Sequence, residues 1–156
     1  MFGRIKSMFR APEPAGAQEL IRRFGQADQP IDSASVQWAD GAWRITAAEA
    51  LTVRLYEIAD PRVEQCMLAY RAKMKSEGLA KAAYLEMWCR LPGRGEFFSK
   101  GLQQPLRGTT GWASYEVPFY LKAGQCPDLI KLNVVLEGGG TVWLKEIELF
   151  KTPIKP

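Results

Sequence analysis

Between Ala82 and Leu91 the chain reads AAYLEMWCRL, and its even positions carry Tyr84, Glu86, Trp88 and Arg90. If the segment is extended, these four share one side, because successive strand side chains point to opposite faces. Aromatic rings stack on the apolar faces of sugar rings. Carboxylate and guanidinium groups hydrogen-bond the ring hydroxyls and fix orientation. The odd positions, Ala83, Leu85, Met87, Cys89 and Leu91, are uniformly apolar and are expected to face a core. A neighbouring strand would add Arg71, Lys73 and Lys75, and the segment 129–136 would add Lys131, Asn133 and Val135. The candidate ligand-binding set is therefore Tyr84, Glu86, Trp88, Arg90, Arg71, Lys73 and Asn133. The bland alternative is a solvated face whose Lys and Arg stems lie over the aromatics, or one covered by the N-terminal segment.

Catalysis finds little support. The chain has no histidine, which excludes Ser-His-Asp and Cys-His hydrolysis and His-ligated zinc. Glu146 and Glu148 fall on one face of the last apolar-alternating segment, about 7 Å apart by strand rise. A glycosidase pair has a comparable separation, but adjacent acids on an edge strand are ordinarily just solvated. Gly138–Gly140 leads into no helix that could receive a phosphate. No metal-ligand spacing is visible, so no cofactor or metal is expected, and the reading is non-enzymatic.

Composition sets the remaining bounds. The 156 residues suit one domain, with 47% apolar and 24% charged residues. The net charge of +4, from 21 Lys plus Arg against 17 Asp plus Glu, is a mild excess. Basic residues interleave with aromatics at Arg71, Lys73, Lys75, Tyr84 and Trp88, as single-stranded nucleic acid would require, but no RNP-type motif is present. Nucleic acid is therefore not the expected partner. Cys66, Cys89 and Cys126 form no CxxC pair and read as thiols in a reducing compartment. No secretory h-region and no stretch of about 20 apolar residues is seen, so the expected location is cytoplasmic.

The elements that must position these residues are strands. Tyr115, Val117, Phe119 and Leu121 alternate along one run, and Ile130, Leu132, Val134 and Leu136 along another. Val36–Trp38 and Trp43–Ile45 flank Asp40–Gly41, a hairpin turn. Leu51–Ile58, Gln65–Lys75 and Ala82–Leu91 alternate likewise, with Ser76–Lys81 read as a turn and Phe97–Gln104 as a loop-rich stretch. Trp43 is expected in the core, Trp112 and Trp143 in structural positions, and Trp38 is unassigned. Ahead of the strands, residues 17–24 (AQELIRRF) read as two helical turns. Residues 1–10 carry Phe2, Ile5, Met8 and Phe9 among three basic residues. That stretch allows weak membrane association through anionic lipid, or docking of a short helix on its own domain.

The segments GTTGWASYEV (108–117) and GTVWLKEIELF (140–150) resemble the closing strands of galactose-binding-domain-like jelly rolls, including carbohydrate-binding modules. In that group a Gly-Thr-x-x-Trp turn leads into a strand bearing a Tyr and alternating apolars. A later strand ends in a pattern like x-Val-Trp-Leu-Asp-Asp-Ile-x-Leu. Here Lys145–Glu146 stands where the acidic pair is usual. The resemblance covers about residues 36–150. It implies a two-sheet antiparallel jelly-roll sandwich, all-β, over residues 31–156, behind an arm of residues 1–30, helical in part or disordered. Members of the group bind sugars, proteins, lipid head groups or DNA ends, and most are non-catalytic. The expected function is a non-catalytic carbohydrate-binding module using the face of Trp88. The alternative is a protein–protein interaction or assembly domain using the same face.

Overall fold

A computed structural model describes residues 11–156; the amphipathic stretch 1–10 lies outside the described residues. The described residues form nine antiparallel strands: β1 (Glu19–Phe24), β2 (Gln37–Ala39), β3 (Ala42–Ala47), β4 (Leu51–Ala59), β5 (Cys66–Leu91), β6 (Gly95–Lys100), β7 (Leu106–Leu121), β8 (Leu129–Leu136) and β9 (Gly140–Pro153). They make one continuous ladder that curls into two layers through the 26-residue β5. In the first layer, the N-terminal half of β5 lies between β7 and β9; β9 also carries β3 and β1, and β3 carries β2. In the second layer the order is β4–β8–β5–β6, built on the C-terminal half of β5. This is the expected all-β jelly-roll sandwich.

Alternation does the sorting. Leu68, Tyr70, Ala72 and Met74 of the first layer and Leu85, Met87, Leu132 and Val134 of the second are all but inaccessible and meet in one core. The Tyr70 hydroxyl crosses between the layers and donates to the Asn133 carbonyl at 3.1 Å. Burial drives the Tyr70 phenol far above its ordinary pKa, so it stays a neutral donor.

Three readings of the sequence are corrected. Residues 17–24 supply strand β1, not helical turns: β9 offers an open edge beside β3, and pairing to it satisfies backbone groups that a short isolated helix would leave to water. Phe24 then stacks on Tyr56 at 4.0 Å, and β1 joins the ladder ahead of residue 31. Ser76–Lys81 is a bend inside β5 and not a break. Gly78 takes φ +61, while Ser76 Oγ bonds Gly108 O and the Ala80 N–H donates to Gly139 O. Gly95–Lys100 is strand β6, and the loop is confined to the residues between β6 and β7. The hairpin at Asp40–Gly41 forms as expected, with φ of 54 and 79.

The glycine turn before β9 is under close constraint. A Cβ on Gly140, at φ +140, would lie 2.8 Å from Leu79 Cα. Gly140→Ala is expected to cost about 2 kcal/mol by overpacking and backbone strain. Thermal melting should register it as a drop of roughly 5 °C.

Two ion pairs staple loops to the second layer: Arg54–Asp32 at 2.8 Å and Arg90–Asp128 at 2.8 Å. Hydrogen bonds from Arg54 and from Arg90 hold the Asp32 and Asp128 carboxyls below the usual carboxylate range. A depressed folded-state pKa gives stability that is present above the unfolded value and lost as pH falls through the folded one. The urea midpoint is therefore expected to decline below about pH 4. A D32N/D128N double variant should decline less steeply. Both pairs are largely exposed, so the effect is small.

Candidate functional site

The outer face of the second layer is ordered by register. Across β4, β8, β5 and β6, one row reads Glu57, Lys131, Trp88 and Phe98. The next reads Arg54, Asn133, Glu86 and Lys100. Each row spans three inter-strand gaps, about 14 Å. A bulge in β4 between Arg54 and Tyr56 turns Tyr56 to the core and keeps Arg54 and Glu57 outside.

Glu86 is the hub of this face and is buried. Its Oε1 accepts from the Trp88 indole N–H at 2.9 Å and from the Asn133 amide at 2.9 Å. Its Oε2 lies 3.8 Å from the Lys100 ammonium. One carboxylate therefore fixes the plane of the Trp88 ring, the flip of Asn133 and the reach of Lys100. Trp88 is half-buried and packs on Phe98, centroids 5.0 Å apart and planes tilted by 51°. Phe98 is 54% exposed. The two rings form an aromatic step at the sheet surface, with Lys131 held beside it by Glu96 at 2.7 Å. Aromatic surface next to fixed amide, carboxylate and ammonium groups suits a polyhydroxylated ligand with apolar ring faces. The cations of the face are each paired, Arg54 with Asp32, Arg90 with Asp128, Lys100 with Glu86 and Lys131 with Glu96, which suits an uncharged one.

The expected site residues separate into two groups. Tyr84, Glu86, Trp88, Arg90 and Asn133 stand on this one face. Tyr84 is buried, its hydroxyl 3.5 Å from Glu137, and desolvation raises its pKa. Arg90 is exposed and bonded to Asp128. Arg71 and Lys73 are not neighbours of Trp88. They belong to the half of β5 in the first layer, beyond the bend, where Arg71 pairs with Glu116 at 2.8 Å and Lys73 with Glu146 at 3.0 Å. The candidate set drew on both runs as if they were neighbouring strands, whereas one strand, β5, carries them end to end through the bend and into different layers. Phe98 and Lys100 were missed because 97–104 was read as loop. The signal was the Pro92–Gly95 turn, which pairs Phe98 with Trp88 in an ordinary hairpin.

The acids Glu146 and Glu148 are held by Lys73 and Arg23, and a bulge with Glu146 at φ +51 lies between them and breaks their register. A cavity of about 660 Å³ lies elsewhere, between Ala11–Glu13 and Ile154–Pro156. No aromatic ring lines it, so the chemistry points to the Trp88 face.

No family model matches the chain, and no curated protein matches it. Solved structures do. The family 16 carbohydrate-binding module-2 aligns over 84% of this chain and 99% of its own, with TM-score 0.51 and 12% identity. The CBM22-1 xylan-binding domain of Xyn10C from Paenibacillus barcinonensis aligns over 90% of this chain and 99% of its own, with TM-score 0.51 and 11% identity. The CBM22-1–GH10 modules of endo-1,4-β-D-xylanase 10B from Clostridium thermocellum, complexed with xylohexaose, align over 89% of this chain and 26% of theirs. The TM-score there is 0.52 and the identity 6%. At such identities the likeness concerns architecture, and it agrees with the resemblance carried by GTTGW and GTVWLKEIEL. The chain has the β-sandwich fold of the carbohydrate-binding modules.

Proposed function

We propose that the protein is a non-catalytic carbohydrate-binding module that holds an uncharged oligosaccharide on the outer face of β8, β5 and β6. The observation that carries this is the Glu86 hub, which locks Trp88 and Asn133 in place beside the exposed ring of Phe98. Pre-positioned aromatic and amide groups lower the ordering cost of binding a flexible sugar. In this reading Trp88 and Phe98 stack on sugar rings. Asn133, Lys131 and Arg90 hydrogen-bond hydroxyls, and Glu86 orients them. The shared architecture with a xylan-binding domain makes β-linked xylo- and gluco-oligosaccharides the first ligands to test. Isothermal titration of xylohexaose and cellohexaose tests it: saturable binding supports the reading, and no heat with either or with a wider neutral panel overturns it.

A second reading, an interaction domain on the same face, draws on the free thiols of buried Cys66 and Cys89 and exposed Cys126, which suit a reducing compartment. A stable dimer in solution that protects Trp88 would favour it. Among the described residues no helix is long and apolar enough to cross a membrane.

A further inference from the structure

The outer face of the first layer carries a second aromatic cluster, far along β5 from Trp88. Trp112 of β7 is 38% exposed. The Lys145 ammonium lies 4.3 Å from its ring centre, and the Lys75 ammonium 5.3 Å. Lys75 also lies 4.7 Å from the ring centre of Trp143, its cross-strand partner. Two ammonium groups thus converge on one exposed indole. Neither has a carboxylate partner among the described residues, although Lys73, Arg71 and Arg23 on the same face each have one. Arg44 stands opposite Trp143 in the ladder and, among the described residues, its side chain bonds only the neutral Gln37 amide.

The backbone is shaped to bring this about. β9 has one extra residue between the partners of Lys73 and Arg71, with Glu146 at φ +51. A non-glycine residue in that conformation is strained and persists only where its surroundings hold it. The bulge sends Glu146 to Lys73 and leaves Lys145 free to lie over Trp112. On the other side, Ser76 Oγ and Thr110 Oγ1 meet at 2.8 Å, and Thr109 Oγ1 accepts from the Gly78 N–H, which fixes the approach to Trp112.

The geometry points to a second ligand site here, for a uronate-containing oligosaccharide. A hexuronate offers both things the cluster lacks: a carboxylate for Lys75 and Lys145, and an apolar ring face for Trp112. Lysine side chains swing readily, and the cation–π contacts that hold them are weak where exposed. A carboxylate would gain two charge-assisted hydrogen bonds in their place. A nucleic acid strand fits less well. It needs a continuous cationic track, and Glu116, Glu146 and Glu148 interrupt the face beside the cluster. The site is independent of the Trp88 face and does not rest on the reading given for it.

The test is calorimetric titration of the full chain with tetragalacturonate, with cellotetraose and the oligonucleotide dT8 as comparisons. Tetragalacturonate is expected to bind saturably and several-fold more weakly at high salt. The Lys75→Gln/Lys145→Gln variant should bind at least about tenfold more weakly, Lys75→Arg/Lys145→Arg should retain binding, and Trp88→Ala should bind as the wild type does. The inference is overturned if tetragalacturonate gives no saturable heat, if a folded glutamine double variant binds it unchanged, or if dT8 binds more tightly.

Discussion

Trp88→Ala is expected to lower affinity for a bound neutral oligosaccharide by about a hundredfold while leaving the fold intact. The size reflects what the ring does. Stacked aromatics at the centre of a binding face are the residues whose truncation costs most, often 2 kcal/mol or more. Trp88 occupies the middle of the row Glu57–Lys131–Trp88–Phe98, so its loss also removes the support of Phe98. The fold should survive because the side chain lies outside the core cluster and is only half-buried. Calorimetric titration of the variant, with its circular dichroism and melting curve, checks both halves. A folded variant with unchanged affinity would remove Trp88 from the site.

The second large effect concerns Glu86. Its carboxylate is buried and accepts from both Trp88 and Asn133. Glu86→Ala leaves a buried amide donor and an indole N–H without an acceptor and takes from Lys100 its nearest carboxylate. Stranded polar groups cost about 1–3 kcal/mol each, and a broken buried ionic contact costs more. Because Lys100 retains partial contact with water, a total of about 3 kcal/mol is expected, read as a lower urea midpoint at constant slope. Glu86→Gln keeps one acceptor oxygen and should recover most of that loss. Ligand affinity should also fall in Glu86→Ala, since Trp88 and Asn133 are no longer fixed in orientation. A variant as stable as the wild type would show that Glu86 is not the organising group of the face.

The strands were legible because alternation is local. The inward sets of β5, β7 and β8 follow from the period-two pattern: those of β5 and β8 are buried, and in β7 Val117 and Leu121 are buried while Tyr115 and Phe119 pack against the core half-buried. What the sequence hid is set by tertiary pairing. Residues 19–24 carry a pattern compatible with a helix, and only the open edge of β9 makes them a strand. Whether Ser76–Lys81 turns the chain back or merely bends it depends on β7 and β9 meeting it there. That one ambiguity decides whether Arg71 and Lys73 sit beside Trp88 or in the other layer. The ring of Phe98 escaped for a related reason, because FFSK offers too few residues to show a period. The alternating face of Tyr84, Glu86, Trp88 and Arg90 was fully readable. That Glu86 binds its own neighbours, and so acts as an orienting group, was not. A hydrogen bond between side chains two residues apart needs rotamers that no pattern records.

The central claim is that neutral sugar sits on the Trp88 face. It is tested most directly by monitoring the five tryptophan indole N–H signals in a ¹⁵N–¹H spectrum during titration with xylohexaose or cellohexaose. The account predicts that the Trp88 signal moves progressively to saturation, while buried Trp43 and the first-layer Trp112 and Trp143 stay in place. Saturable shifts confined to Trp112 and Trp143, or none at any indole, would contradict it.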